Sequence, residues 1–415
     1  MQQGILLNIC RPVKSDYMRL LFLLAVCCCC SCSHSKKITV AANGPQFSRR
    51  DAETSLTAAV QQYKKLADLL PEGQFARTFE NGRLRSVNAS GWVSGFYPGT
   101  LLLLSRFSKD TALLQEAKKR LRVLQKEQYN THTHDLGFMM YNSFGNVNAV
   151  APDTSCRRIL INSAQSLAKR FSPAVGCIRS WDSDSTHFLV IIDNMMNLEL
   201  LMYAFKETRD SAFYHIAVTH ANTTLRNHFR DDYSAYHVVD YNPQTGAVQK
   251  KHTHQGAADE SAWARGQAWA LYGFTMMYRE TRNEKYLAQA NHIAQFIIHH
   301  PNLPADKIPY WDFNAPGIPN AWRDASAAAI ISSALLELGQ YAAADKKKHY
   351  RNTAVQMLAA LSGPVYRTVG NEAGGFLLKH SVGHLPAGNE IDTPLSYADY
   401  YYVEALLRFI GGIQD

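Results

Sequence analysis

Along most of the chain apolar residues recur at the three-and-four spacing of an amphipathic helix, and strict apolar/polar alternation is nearly absent. The pattern predicts twelve helices, over 52–70, 97–107, 109–128, 137–143, 155–171, 187–207, 209–228, 259–280, 283–299, 322–343, 345–361 and 393–411. They fall in pairs joined by short Gly, Pro, Asn or Asp punctuation, such as Glu280 to Glu284, and each pair takes roughly 50 to 60 residues, the spacing of stacked helical hairpins. No sequence repeat accompanies the spacing, which counts against an open solenoid of hairpins. Six hairpins without a repeat predict an all-α fold, the (α/α)6 toroid, in which a funnel at one end collects loop residues from every hairpin. The connections at 301–320 and 369–390 are longer than a helix turn requires, and long loops on a rigid scaffold commonly carry function. Both are expected at the funnel end.

Within this pattern one stretch breaks the rule that buried helices are apolar. Trp181 to Glu199 reads WDSDSTHFLVIIDNMMNLE, and the run Phe188 to Ile192 leads straight into Asp193, with Met195, Met196, Leu198, Leu200 and Leu201 following. The segment reads as a buried helix carrying a carboxylate. Burial disfavours the charged form of Asp, so its pKa should rise from ~3.9 toward the range where a carboxyl acts as a general acid near neutrality. The other reading is a buried polar group satisfied by Asn194, Asn197 or a backbone amide.

The composition is that of an ordinary globular protein: 415 residues, 46% hydrophobic and 19% charged. The formal net charge of +8 is spread out and no nucleic-acid motif accompanies it, so an acidic small substrate fits the excess better than a nucleic acid. Five of the eight cysteines, Cys27, Cys28, Cys29, Cys30 and Cys32, follow the apolar run Leu20 to Val26 and belong to an export signal, not to a metal site. Met18 and Arg19 supply a start and a positive flank, which makes residues 1–17 an over-extended start. Cys32, followed by the polar SHSKK, resembles the lipid-attachment cysteine of bacterial lipoproteins, although the residues before it depart from the usual small-residue consensus. The expected organisation is therefore an export segment and linker over 1–36, with the mature chain starting near Cys32, and a single catalytic domain over 50–415. The destination is the periplasm, with or without a lipid anchor. Cys156 and Cys177 are expected as free thiols, because the helix between them would span about 22 Å at ~1.5 Å per residue and a disulfide needs Cα atoms within ~7 Å.

Other stretches hold candidate chemistry. Asp135 in HDLGF is either the N-cap of a short helix or, with Asp193, the second member of the carboxylate pair that glycosidic chemistry usually requires. In HTHQGAADESAWARGQAWALYGF, Arg265 and Trp269 lie one turn apart with Ser261 a turn earlier, so all three are expected on one face: guanidinium for a carboxylate, indole for a sugar ring. The alternative pairs Arg265 with Glu260 and sends Trp269 into the core. His252, His254 and Gln255 lack the spacing and third ligand of a zinc site. Trp92, His237, Trp311, Asp312 and the aromatic SYADYYYVEALLRF are singly packing residues. No G-x-S-x-G elbow, Walker loop or strand-borne G-x-G-x-x-G is present, which removes the common hydrolase, nucleotide and dinucleotide classes.

Taken together, GWVSGFYPG, HDLGF, IIDNMMNLELL, HQG with SAWARGQAWALYGF, and PYWDF with RDASAAAI resemble, in order and across nearly the whole mature chain, the family of unsaturated glucuronyl hydrolases. The resemblance implies an (α/α)6 barrel that removes a 4,5-unsaturated uronic acid from the non-reducing end of oligosaccharides left by polysaccharide lyases, without a cofactor or metal. It places the two catalytic aspartates on Asp135 and Asp193, with Asp193 the general acid and base, and substrate binding on Trp92, His134, His237, Gln255, Arg265 and Trp269. Family members acting on sulfated sugars carry a Ser and Lys pocket near the C-terminus, whereas FLLKHSVGH offers Lys379, His380, Ser381 and His384 without a clear second serine. A glycosaminoglycan fragment is the expected substrate. The competing functions are an unsaturated rhamnogalacturonyl hydrolase acting on pectin fragments and a non-catalytic surface glycan-binding protein.

Overall fold

The computed structural model describes residues 47–147, 149–150 and 153–413; the expected export segment and linker over 1–36, with Cys32, lie outside them. Eleven α-helices and one π-helix follow one another: α1 (Arg49–Leu69), α2 (Phe96–Ser108), α3 (Thr111–Leu124), the π-helix Gly137–Gly145, α4 (Thr154–Ala168), α5 (Leu198–Thr208), α6 (Ser211–Asn227), α7 (Ala264–Thr281), α8 (Glu284–His299), α9 (Ala325–Tyr341), α10 (Ala344–Leu361) and α11 (Ser396–Phe409). Every second helix forms an inner ring, since α2, the π-helix, α5, α7, α9 and α11 touch in that order and α11 returns to α2. The remaining six pack outside them. Sequence composition follows this division: α7 is buried without interruption from Ala264 to Met277, whereas α3 buries only a stripe through Leu113, Ala117, Arg120, Leu121 and Leu124. The closed double ring is the expected toroid.

The two ends of the ring are built differently. Where an inner helix hands over to the next outer one, three corners use the same pair of residue kinds, a cation followed by Asp or Asn. Lys109, Arg209 and Arg282 take the left-handed conformation that stops a helix, and Asp110, Asp210 and Asn283 then accept backbone N–H groups of the following first turn. A cation at each stop also complements the helix dipole. Beneath these corners a buried ionic chain runs from Glu199 through Arg279 and Glu337 to Arg408 and Glu404.

At the other end the chain returns from outer to inner helix through long connections, and these hold all nine short strands among the described residues. β1 (Phe75–Glu80) pairs with β2 (Arg83–Val87), β3 (Phe171–Ser172) with β4 (Cys177–Ile178), and β8 (Ser381–His384) with β9 (Asn389–Thr393), all antiparallel. A three-stranded sheet has the order β5 (Phe188–Ile191), β6 (Val238–Tyr241), β7 (Val248–His252). Helical periodicity could not foresee ribbons of two to six residues, which exist because tertiary pairing completes their hydrogen bonds.

One of them corrects the reading of the central stretch. Residues 187–207 are not a continuous helix: Phe188–Ile191 is strand β5, in register with Tyr241 to Val238 of β6, followed by a 3-10 turn over Ile192–Asn197 and only then by α5. A short run of Phe, Leu, Val and Ile suits a buried strand as well as a buried helix, and periodicity cannot separate them. The start of α7 is corrected too. Ser261 precedes the helix, and its Oγ donates to Asp312 Oδ2 at 2.6 Å instead of sharing a face with Arg265. Cys156 and Cys177 are free and buried, as expected.

The 3-10 turn seats on α7 through two glycines of that helix. A Cβ at Gly273 would stand 2.5 Å from Met195 Cβ, and one at Gly266 would stand 2.8 Å from the Trp263 ring and 3.4 Å from Ile192 Cγ2. We therefore expect Gly273→Ala to destabilise the protein by about 1–3 kcal/mol through overpacking, although alanine is the better helix former by ~1 kcal/mol. Urea unfolding checks this; a midpoint equal to or above the native one would contradict the close seating.

Candidate active site

A cleft of about 260 Å³ opens at the N-terminal ends of the inner helices, where the long connections gather. Asp193 sits on its floor at the switch from β5 to the 3-10 turn, with its residue surface 9% exposed. Neither asparagine beside it satisfies the carboxyl. Asn194 Nδ2 donates to the Ile178 carbonyl at 2.9 Å, and Asn197 Oδ1 accepts from Phe138 N at 3.0 Å. Burial pushes the Asp193 pKa up to about 7, against the opposing pull of the Arg265 guanidinium and its own backbone N–H. The nearby Asp135 carboxylate raises it further, and the Trp269 indole N–H holds it down. A carboxyl balanced at this value keeps its proton for much of the population near neutrality and can still lose it.

Asp135 lines the same cleft. The cap alternative does not apply, since no side chain caps the π-helix; the Asp135 carboxylate accepts from Thr133 Oγ1 at 3.1 Å and lies 3.3 Å from His134 Nε2. His134 is buried, and its pKa is lowered by that burial. A close approach fixes the two carboxylate-bearing segments to each other. A Cβ on Gly137 would fall 2.4 Å from Asn197 Cα, and the Asn197 side chain bonds the next residue's N–H, so only glycine lets HDLGF lie flat on IIDNMMN.

Arg265 enters from the first turn of α7. It is buried and ion-paired at 3.2 Å with Asp324, the N-cap of α9, and it donates to the carbonyls of Val382 and Gly383. Gln255 Nε2 donates to the same Gly383 carbonyl at 3.0 Å, so the β8–β9 ribbon is pinned over the cleft from two sides. Glu260, the alternative partner of Arg265, pairs with Arg230 instead. Trp92 lies against Phe96, Phe138 and Tyr397 and presents part of its indole to the cleft.

Six of the eight residues singled out in the sequence thus line one cleft: Trp92, His134, Asp135, Asp193, Gln255 and Arg265. The other two stand behind it. Trp269 is fully buried between Phe138 and Tyr401, so the expectation of an indole face offered to a ring is not met. His237 is buried with Nε2 3.8 Å from Asp193 Oδ2. The long connection at 369–390 reaches the cleft through Gly383, His384, Asn389 and Glu390, whereas 301–320 supports it from outside through Asp312, which accepts from Ala257 N and Ser261. Sequence reasoning missed Arg77, Trp181, His254, Glu390 and Tyr397 in the lining. Arg77 and Glu390, 313 positions apart, form a 2.6 Å ion pair between β1 and β9, and no local pattern announces it. Lys379 is turned to Glu372 and His380 to Asp392, which leaves Gly383 and His384 as the members of FLLKHSVGH in the lining.

A scan against models of protein families finds no match. The chain is 47% identical over 328 residues to an unsaturated glucuronyl hydrolase of Formosa agariphila, covering 78% of this chain and 81% of that one. It superposes with a TM-score of 0.85 on the crystal structure of an unsaturated glucuronyl hydrolase specific for heparin, at 46% identity, covering 88% of this chain and 99% of the other. A variant of the Streptococcus agalactiae unsaturated glucuronyl hydrolase, complexed with dGlcA-GalNAc6S, matches at 28% identity with a TM-score of 0.77, covering 90% of this chain and 94% of the other.

The balance at Asp193 can be read directly. Carboxyl-carbon NMR of aspartate-labelled protein should show Asp193 titrating with a midpoint near 7. In Asp135→Asn the midpoint should fall, because a repelling charge is gone. A native midpoint in the ordinary aspartate range of ~3.9 would mean that the carboxyl is not desolvated as described.

Proposed function

The chain belongs to the family of unsaturated glucuronyl hydrolases and is a glycosidase, and we propose that it removes a 4,5-unsaturated uronic acid from the non-reducing end of lyase-generated glycosaminoglycan oligosaccharides. The observation that carries this reading is the Asp193 carboxyl, held near neutral pKa on the floor of a cleft that also holds Asp135 and Arg265. The names of the similar proteins, one specific for heparin and one complexed with dGlcA-GalNAc6S, support an acidic glycosaminoglycan fragment. So do the inner-helix N-termini that converge on the cleft, since their partial positive charge favours a substrate carboxylate.

The chemistry follows from the double bond. C4 of an enol ether is nucleophilic, so protonated Asp193 gives its proton to C4 and the positive charge appears at C5, shared with the ring oxygen. Asp193, now a carboxylate, takes a proton from water, and the hydroxide equivalent adds to C5. The resulting hemiketal opens by breaking the bond between C5 and the ring oxygen. That oxygen becomes a hydroxyl on C1, and the C1 hemiacetal expels the rest of the oligosaccharide as an alcohol. Asp193 ends as it began. In this reading Asp135 orients the ring hydroxyls and, by repulsion, helps Asp193 keep its proton. Trp92 packs against the sugar, and His134 and Gln255 donate to it. Arg265 faces the substrate carboxylate, since its three protein bonds use three of five guanidinium donors.

Export belongs to the same reading, because the glycans that lyases degrade lie outside the cytoplasm; we assign Cys32 as the lipid-attachment residue of a periplasm-facing chain. Membrane fractionation checks this assignment: the native protein should pellet with membranes and Cys32→Ser should be released, and equal partitioning of the two would remove the anchor.

Hydration of the double bond differs from ordinary glycoside hydrolysis in where atoms go. In heavy water the product should carry one deuterium at C4, with oxygen from labelled water entering at C5 and not at C1. Because the acid form of Asp193 is required first, kcat/KM should fall as pH rises through about 7. Asp193→Asn should lose at least the ~10² to 10⁴ typical of a general acid while still binding substrate. A product without deuterium at C4, or near-normal turnover by Asp193→Asn, would show that Asp193 does not protonate carbon.

A further inference from the structure

His237 lies where a substrate contact would be sought, yet it is 3% exposed and the cleft wall is made by other residues. Its surroundings fix it on every side. It directly precedes β6, and its carbonyl accepts from Ile192 N at 3.0 Å, one residue before Asp193. Its Nδ1 accepts two backbone N–H groups, those of His254 and Gln255, each at 3.1 Å. A nitrogen that accepts two hydrogen bonds holds no proton, so the ring's proton is on Nε2. The Trp263 ring packs against the imidazole at 4.5 Å and the edge of Trp181 at 6.0 Å. The charged and titratable groups facing it are Asp193, His252, His254, Arg265 and His384; burial first, and then the electrostatic influence of the neighbouring histidines and of Arg265, hold its pKa well below the usual imidazole range.

The Nε2–H therefore lies 3.8 Å from Asp193 Oδ2, and among the described residues neither atom has a hydrogen-bond partner. The indole Nε1 of Trp269 is also buried without a bonded partner, and the Asp193 carboxyl feels it. Two fixed N–H donors thus stand behind the acid, on the side away from the cleft, about 1 Å too far in the case of His237 for a charge-assisted bond of ~2.8 Å. A protonated carboxyl does not require them; a carboxylate does.

We propose that His237, together with Trp269, is a positioning residue for Asp193: the carboxylate moves onto its neutral N–H when the proton has gone to C4, and moves off it when Asp193 recovers a proton from water. The assignment rests on Asp193 being the proton donor. His237 keeps its own proton throughout, so the donated proton and the one regained from water pass through Asp193 alone. A neutral donor suits this place for a physical reason. A cation in direct contact would hold the carboxyl ionised and leave it no proton to give, whereas an N–H dipole stabilises the carboxylate only moderately.

Two variants and one pH profile test the proposal. His237→Asn retains an acceptor for the two backbone N–H groups but cannot reach Asp193; His237→Gln extends an amide N–H to the position of Nε2. With an unsaturated chondroitin or heparin disaccharide, followed by loss of ultraviolet absorbance, we expect kcat of His237→Asn to fall on the order of 10- to 100-fold with KM little changed. Its alkaline limb should move to higher pH, because the carboxylate has lost a donor. His237→Gln should recover part of both, and Trp269→Phe should move the limb in the same direction. A raised KM with the limb in place would make His237 a substrate contact, and a lowered melting temperature with the limb in place would make it structural; either overturns the proposal. Native enzyme without an alkaline limb would instead overturn the assignment of Asp193, on which the proposal rests.

Discussion

A carboxyl that must hold a proton near neutral pH cannot sit in water, and this protein keeps Asp193 out of it. Desolvation is the largest influence on the group and Arg265 the largest one against it, so its pKa of about 7 is a difference between opposed effects. Arg265 in turn is buried and needs Asp324, Val382 and Gly383 to satisfy it. Those partners come from the N-cap of α9 and from the β8–β9 ribbon. One buried acid thus draws in the first turn of α7 and the connections before α9 and before α11. Removing any layer would either hydrate the carboxyl, returning it toward an ordinary aspartate, or leave a buried charge without a partner.

The toroid makes this arrangement affordable because it divides labour between its ends. Tight corners such as Arg209–Asp210 and Arg282–Asn283 join inner to outer helices, and the ionic chain around Arg279 and Arg408 closes the ring there. The opposite end is left to long connections whose ribbons need not be regular. An aromatic layer through Phe96, Phe138, Trp269 and Tyr401 fills the ring between the two. Precision at the cleft then comes from close approaches that only glycine permits. Gly137 lies on Asn197, Gly273 on Met195, and Gly95 lies where a Cβ would be 2.2 Å from the Phe138 carbonyl. Each seats an acid-bearing segment, or a neighbour of one, against an inner helix.

How much of this could be read from the chain depends on the range of the interaction concerned. Helix periodicity and the capping residues are local, so twelve helices, their pairing and the closed ring were legible; Asp193 stood out as a carboxylate in an apolar run, Asp135 as a candidate second carboxylate, and Arg265 by its one-turn spacing from Trp269. Strand β5 was not legible. Phe188 to Ile191 becomes a strand because Val238 to Tyr241 lies beside it, and an apolar run carries no record of a partner some 50 positions away. The same holds for the Arg77–Glu390 pair, which joins ribbons from the two ends of the sequence.

The sequence by itself determined the kind of scaffold and the types of chemical group available, because hydrophobic period, caps and residue identity are properties of neighbours along the chain. Tertiary structure alone decided which groups face the cleft and which stand behind it. Arg265 and Trp269 are one helical turn apart, yet one reaches the lining while the other is sealed between Phe138 and Tyr401. His237 and Asp193, 44 positions apart, face each other only because β6 pairs with β5. Roles of that kind depend on burial, direction and the proton that a given nitrogen carries, and none of these exists before the chain has folded.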